Sequence, residues 1–202
     1  MAELLQTSAL SSASRDMPGA GVTIMERRGL ALATLQARRG QEQALRARIA
    51  QSFEADLPGR PGFVTGRDIA FVGLGPQTWL AMSETDARSF HASFRSLVDG
   101  MASVSDQSGG YAVFRVGGTA IRDTLAKGFP IDLDENVFRS GDAATTVVSH
   151  LGATIWRRDD APDGTACFEI SLFRSLAQSF WDWFSESAAE FGWTWQDPPA
   201  RP

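Results

Sequence analysis

The segment DTLAKGFPIDL, residues 123–133, combines a lysine amine, an aspartate carboxylate and a glycine that would let a ligand approach the backbone. Such groups could form a polar site. They also fit the end of a helix, because Lys127 in the last turn complements the helix dipole and Gly128 can adopt a positive φ. Pro130 then prevents the helix from continuing. We interpret the segment as a structural corner and not as an active site.

Other motifs that suggest chemistry also have simpler structural explanations. The glycines at 73–75 follow a predicted strand, as in a dinucleotide-binding loop, but Pro76 and an alternating segment come next, which predicts a hairpin turn. Cys167 lies within the strand-like segment TACFEISLF and is interpreted as a buried, inert thiol. His91 and His150 are assigned structural or surface roles, because two histidines and one cysteine lack the paired spacing of a zinc site.

No nucleophile elbow or phosphate-binding loop occurs in the sequence. Three arginine pairs are interpreted as solvated faces or strand ends, and one aspartate pair as part of a turn. These pairs are Arg27-Arg28, Arg38-Arg39, Arg157-Arg158 and Asp159-Asp160. The sequence therefore predicts no catalytic, cofactor-binding or metal-binding residue on this chain.

Composition excludes several classes of partner. The formal net charge of −5 over 202 residues argues against nucleic acid or an anionic membrane as the main partner. A single cysteine cannot form an internal disulfide, which favours a reducing compartment. The N-terminal residues lack the apolar core of a secretion signal, and no apolar run approaches the ~20 residues of a membrane span. We expect a cytoplasmic, soluble protein.

Hydrophobic periodicity predicts an α+β fold in two subdomains, with antiparallel sheets and flanking helices. Residues 1–20 are rich in serine and alanine and are expected to form a flexible N-terminal arm. Residues 21–84 show a β-α-β-β order, which predicts a ferredoxin-like part. Residues 85–192 form a second α+β part, and residues 193–202 a C-terminal tail. Ser83 and Asp86 are expected to open one helix of the second part, and Thr119 is expected to cap another.

The clearest predicted helix is FRSLAQSFWDWFSESAAEF, residues 173–191. Trp181 and Trp183 cannot both lie beneath its apolar stripe, because positions two apart diverge by about 200°. Trp193 and Trp195 follow the helix. Two interpretations stay open: a thick core filled by rings, or a surface on which these four tryptophans anchor a protein partner.

Several segments together resemble the gamma subunit of heterotetrameric sarcosine oxidases. They are SVSDQSGGYAVFRVGG (103–118), TAIRDTLAKGFPIDL (119–133), the hairpin start at 141–146 and FRSLAQSFWDWF (173–184). The resemblance implies a complex with alpha, beta and delta chains, the alpha chain being in direct contact. That complex demethylates sarcosine oxidatively to glycine, releases hydrogen peroxide and transfers the one-carbon unit to tetrahydrofolate. FAD, FMN, NAD and tetrahydrofolate are expected on the partner chains and none on this chain.

The resemblance also implies that residues 85–192 have the folate-binding fold of aminomethyltransferases. Folate-binding relatives carry acids in the hairpin where this chain has Ile155 and Trp156. Another branch of that fold has a Lys-Gly-Cys-Tyr motif, whereas Lys127-Gly128 is followed here by Phe129-Pro130. We therefore expect a non-catalytic subunit. The alternatives are a free-standing folate-fold binding protein or aminomethyltransferase-like enzyme, and a ferredoxin-like regulatory module.

Overall fold

The structure, a computed structural model, describes residues 7–10, 17, 19 and 21–197. The strands β1 to β11 within these ranges are Val22–Glu26, Ala31–Ala37, Phe63–Gly66, Ile69–Gly75, Thr78–Ser83, Ala102–Asp106, Tyr111–Gly117, Ala143–Val148, Leu151–Arg157, Cys167–Phe173 and Trp193–Trp195. The helices α1 to α4 are Glu42–Phe53, Ala87–Leu97, Ile121–Ala126 and Ala177–Ala188, and a 3-10 turn at Arg174–Leu176 precedes the last. None of these helices is long and apolar enough to cross a bilayer.

The strands form two sheets. One is six-stranded in the order β11-β1-β7-β10-β9-β8, and the other is five-stranded in the order β3-β4-β5-β2-β6. The neighbouring strands are antiparallel, except that β1 and β11 are parallel. The predicted α+β class with antiparallel sheets is confirmed.

Features coded by short stretches of sequence lie where we expect them. The glycines at 73–75 end one strand of the β4–β5 hairpin, which turns at residues 76–77. The expected β8–β9 hairpin forms, but it turns at residues 149–150 and not around residues 150–152, because Leu151 and Gly152 already belong to β9. At residues 149 and 150 φ is 44° and 74°, the left-handed region that a two-residue hairpin turn requires. Of the two residues expected to open α2, Asp86 caps it and accepts a hydrogen bond from the backbone N–H of Ser89 at 2.9 Å, whereas Ser83 ends β5.

Sheet membership does not follow the expected boundary at residue 84. β1 belongs to the six-stranded sheet and pairs with β7, while β2 belongs to the other sheet and pairs with β5 and β6. The chain therefore crosses between the sheets twice, at residues 27–30 and 107–110. A sequence shows where strands lie, but strands that are neighbours in sequence need not pair.

The architecture has four layers, helix–sheet–sheet–helix. α3 and α4 pack on the outer face of the six-stranded sheet, and α1 and α2 pack on the outer face of the five-stranded sheet. A third apolar cluster, which includes Leu32, Val113 and Trp156, lies between the sheets. Because strand side chains alternate between faces, Ala31 and Ala33 face the helices while Leu32 faces the other sheet.

The ends of the described chain are attached to the six-stranded sheet. Ser8 Oγ and the backbone N–H of Ala9 donate to the buried carboxylate of Glu26 at 2.6 and 2.7 Å, and Leu10 joins the core. Trp193–Trp195 of the expected C-terminal tail forms β11. Most of the expected flexible arm, residues 1–6, 11–16, 18 and 20, and residues 198–202 of the tail lie outside the described residues.

Candidate functional site

The six-stranded sheet presents polar side chains to the space between the sheets. On β10, Phe168, Ile170 and Leu172 face the helix layer. The intervening Glu169 and Ser171 face the opposite way and are buried, Glu169 completely. An acidic side chain in a β-strand is seldom fully buried unless it is paired. This inner face is therefore our candidate functional site.

The Glu169 carboxylate is bound by three arginines and a tryptophan. Arg115 lies directly opposite on β7, and its Nε and Nη2 approach Oε1 at 2.9 and 2.8 Å. Arg27 Nη1 donates to the same oxygen. Trp156, opposite on β9, donates its Nε1–H to Oε2 at 3.1 Å, and Arg158 Nη1 lies 3.6 Å from Oε2. We call these five residues the Glu169 cluster.

Electrostatics keep this carboxylate ionised. Burial alone would raise the pKa of Glu169, but the positive charges of Arg27, Arg115 and Arg158 together outweigh it. The pKa therefore lies below its ordinary value. A carboxylate that already accepts several charged hydrogen bonds and has a lowered pKa is a poor general base.

Arg27 connects the two sheets. It lies where the chain crosses from β1 to β2, and its backbone N–H donates to Val113 O at 2.8 Å. Its Nη1 binds Glu169 on the six-stranded sheet, and its Nη2 donates to Glu84 Oε1 at 2.5 Å, just after β5 of the other sheet. One guanidinium thus fixes a point of contact between the layers.

Glu169 and the three arginines of the cluster border a cavity of about 410 Å³ between the sheets. Glu84, Asp68 and Thr85 of the five-stranded part also line this cavity. Arg115 and Arg158 additionally border a second cavity of about 650 Å³. Both volumes are within the range of small-molecule sites.

The two histidines are placed as expected, whereas Cys167 is less buried than expected. Cys167 lines the larger cavity and is half-buried, and burial raises the pKa of its thiol, which disfavours a nucleophilic role. His91 is buried on α2, with Nε2 at 2.8 Å from Asp106 Oδ1 and 3.1 Å from Ser108 Oγ. His150 is exposed in its hairpin turn.

The four tryptophans divide into two kinds. Trp181 and Trp193 are only 3% and 2% exposed and meet edge to face with ring centroids 4.9 Å apart. These two rings belong to the core and offer almost no surface to a partner. Trp183 and Trp195 are partly buried, Trp183 against Phe129 and Trp195 against Trp181.

The corner at Lys127-Gly128 is structural, but for other reasons than we expected. The Lys127 amine bonds to another helix and not to its own. Its Nζ donates to Ser187 O at 2.6 Å, at the end of α4, and to Glu190. Gly128 does not have positive φ. The indole of Trp183 occupies the space that a side chain at this position would need.

Two further expectations are corrected. Residue 120 precedes α3 without any side-chain cap, so Thr119 does not have the predicted capping role. Arg157 is buried and not solvated: it pairs with Asp160 and donates to Cys167 O at 3.0 Å. It also lies 5.1 Å from the centre of the Phe168 ring. Arg27 and Arg158 likewise bind Glu169, so the arginine pairs are partly internal.

Sequence reasoning missed the Glu169 cluster. A signal was present, because Glu169 is the one charge in CFEISLF, and Arg115 is the one charge in YAVFRVG. A lone charge in an apolar strand needs a partner when that strand is buried on both faces.

The fold is similar to that of two solved structures. A chain of the heterotetrameric sarcosine oxidase from Corynebacterium sp. U-96, in complex with pyrrole 2-carboxylate, matches with a TM-score of 0.72 and 23% identity over 88% of each chain. Glycine cleavage system aminomethyltransferase T from Bartonella henselae matches with a TM-score of 0.58 and 14% identity, over 87% of this chain and 48% of that one.

Sequence comparison identifies the family. A search among curated proteins finds no significant match. The family described as sarcosine oxidase, gamma subunit, matches residues 39–190, which include the whole Glu169 cluster apart from Arg27. The chain belongs to the sarcosine oxidase gamma subunit family.

Proposed function

We propose that this chain acts as a non-catalytic gamma subunit that supports the other chains of a sarcosine oxidase complex. Family membership supports the assignment to the complex. One observation carries the non-catalytic part: Glu169, the acid best placed to act on a ligand between the sheets, is committed to Arg27, Arg115 and Trp156. A side chain held in this way stabilises a fold and is unsuited to moving protons.

The complex is proposed to demethylate sarcosine oxidatively to glycine, with tetrahydrofolate as one-carbon acceptor and release of hydrogen peroxide. FAD, FMN, NAD and tetrahydrofolate are then held by the partner chains. The alpha, beta and delta chains are the proposed partners, with the alpha chain in direct contact. Trp183 and Trp195, the partly buried rings of the four, are the tryptophans proposed to meet it. Hydrogen exchange that slows at both positions on assembly would support that contact.

Co-purification from the native cell tests the proposal. A tagged copy of the full chain is expected to retain a yellow, flavin-bearing complex with chains of very different sizes. The complex should oxidise sarcosine, and the tagged chain released from it should not. Recovery of the chain without any flavoprotein, from cells that contain the oxidase activity, would contradict the assignment.

The second candidate is a free-standing folate-fold binding protein or aminomethyltransferase-like enzyme. The cavity of about 410 Å³ between the sheets favours it, because that volume suits a small ligand. Isothermal titration of the full chain with tetrahydrofolate separates the candidates. A supporting subunit with a degenerate site gives no saturable heat, whereas a folate-binding protein gives a saturable one.

A further inference from the structure

We propose that Arg115 and Arg158 form a binding site for a carboxylate group at the cavity between the sheets. The group can belong to a small free carboxylate or to an acidic side chain of a partner chain, and both sources present the same chemistry. The partner side chain as a source rests on the proposed function, whereas the free carboxylate does not.

Charge balance in the Glu169 cluster favours an added anion. Three guanidinium groups form ion pairs with two carboxylates, Glu169 and the more exposed Glu84. Asp68 also lines the cavity, but it belongs to the β3–β4 turn on the other sheet and forms no ion pair with Arg115 or Arg158. Asp159, Asp160 and Asp163 line the second cavity, where Asp160 pairs with Arg157, and none of these three forms an ion pair with Arg115 or Arg158. Arg115 and Arg158 therefore share one carboxylate, that of Glu169. An uncompensated charge that is partly removed from water attracts a counter-ion.

Exposure identifies the two arginines that are available. The side chain of Arg27 is 14% exposed and uses both terminal nitrogens for Glu169 and Glu84. Those of Arg115 and Arg158 are 34% and 32% exposed and border both cavities. Arg115 and Arg158 are thus the groups that an incoming anion can reach.

The geometry of the free donors suits a carboxylate. Arg115 binds Glu169 through Nε and Nη2, which leaves Nη1 without a hydrogen bond to the described part of the chain. Among the described residues, the Arg158 guanidinium has one carboxylate partner, Glu169 at 3.6 Å, and it lies 5.4 Å from the centre of the Phe63 ring. A guanidinium whose plane is supported by a ring presents paired N–H groups that match the two oxygens of a carboxylate.

Acetate is the probe for the test. The full chain is titrated with sodium acetate at constant ionic strength, and the arginine Nε–H signals are followed by NMR, with acetamide as the uncharged control. We expect saturable shifts at Arg115 and Arg158 with acetate and none with acetamide. Arg158→Gln should weaken acetate binding by at least about tenfold. Arg60→Gln removes an exposed guanidinium elsewhere, paired with Asp142, and should leave binding unchanged.

Two results would overturn the proposal: no saturable shift in the wild-type chain, or a shift that Arg158→Gln leaves unchanged. If Arg158→Gln does not fold, Arg158→Lys provides the same test, because it keeps the charge but loses the paired donors and should bind about tenfold more weakly. Repeating the titration on the assembled complex distinguishes the sources. Acetate that binds the separate chain but not the complex identifies a partner side chain; acetate that binds both identifies a free carboxylate. Failure of the chain to assemble contradicts the proposed function alone.

Discussion

The indole of Trp183 covers Gly128 so closely that no side chain fits between them. A Cβ at position 128 would lie 2.8 Å from Nε1 of the indole and still closer to its Cζ2. This contact joins the end of α3 to the middle of α4. It explains the glycine by packing, since the backbone there does not have positive φ.

We expect Gly128→Ala to lower the free energy of unfolding by about 1–3 kcal/mol, because the added methyl group must displace the Trp183 ring. Urea unfolding followed by circular dichroism measures the change. Gly152→Ala is the matched control, since a Cβ there meets nothing within 4 Å, and it should change stability by less than about 0.5 kcal/mol. Equal effects of the two substitutions would contradict the packing explanation.

Glu169→Gln is expected to destabilise the fold by about 3 kcal/mol. The substitution keeps the shape of the side chain but leaves the guanidinium groups of Arg27 and Arg115 beside a neutral amide. Chemical denaturation gives the difference. Glu186→Gln, at an exposed position of α4, should have almost no effect. If the two variants unfold at the same urea concentration, the Glu169 cluster does not stabilise the chain.

Stability should fall in acid in a way that depends on Glu169. Because its native pKa is lowered relative to the unfolded chain, the unfolded state binds more protons in the acidic range. The contribution of Glu169 is therefore complete above the ordinary glutamate pKa and is lost as pH falls through the lowered native value. Unfolding free energies from pH 7 to pH 3 should show the wild-type advantage over Glu169→Gln shrinking in acid. An advantage that does not change with pH would refute this linkage.

Lys127→Met should destabilise the chain by about 1 kcal/mol, because the carbonyl of Ser187 loses a charged donor and Glu190 loses its partner. The substitution also removes a cation 4.8 Å from the centre of the Phe191 ring. Thermal unfolding measures the loss. Because the Lys127–Glu190 ion pair is partly exposed, added salt should weaken the ion pair but not the hydrogen bond to Ser187. Glu190→Gln should therefore cause the salt-sensitive fraction of the stability loss seen with Lys127→Met.

Sequence patterns predicted the features that depend on neighbouring residues. The turn after Gly75 and the Asp86 cap of α2 each follow from a few adjacent side chains, and the structure has both. The distribution of strands between the sheets does not follow from such patterns, because β1 and β2 are consecutive in sequence yet pair with β7 and β5. Pairing across long separations depends on the whole topology.

The candidate site was hidden for the same reason. Arg27, Arg115, Arg158 and Glu169 come from four separate segments, and only strand register brings them together. Arg27 and Arg158, seen in their own segments, resemble solvated strand ends. The packing of Trp183 on Gly128 could not be predicted from the sequence either, because a glycine at a helix end is normally explained by backbone conformation.

Lys127 is the only lysine in the sequence. Apart from the N-terminal amine, reagents that modify amines therefore have a single target, and that target is tied to the end of α4. The rate at which it is acylated reports how often its contacts with Ser187 and Glu190 break, so one mass-spectrometric readout can follow this link between α3 and the end of α4 in the isolated chain and in any assembly.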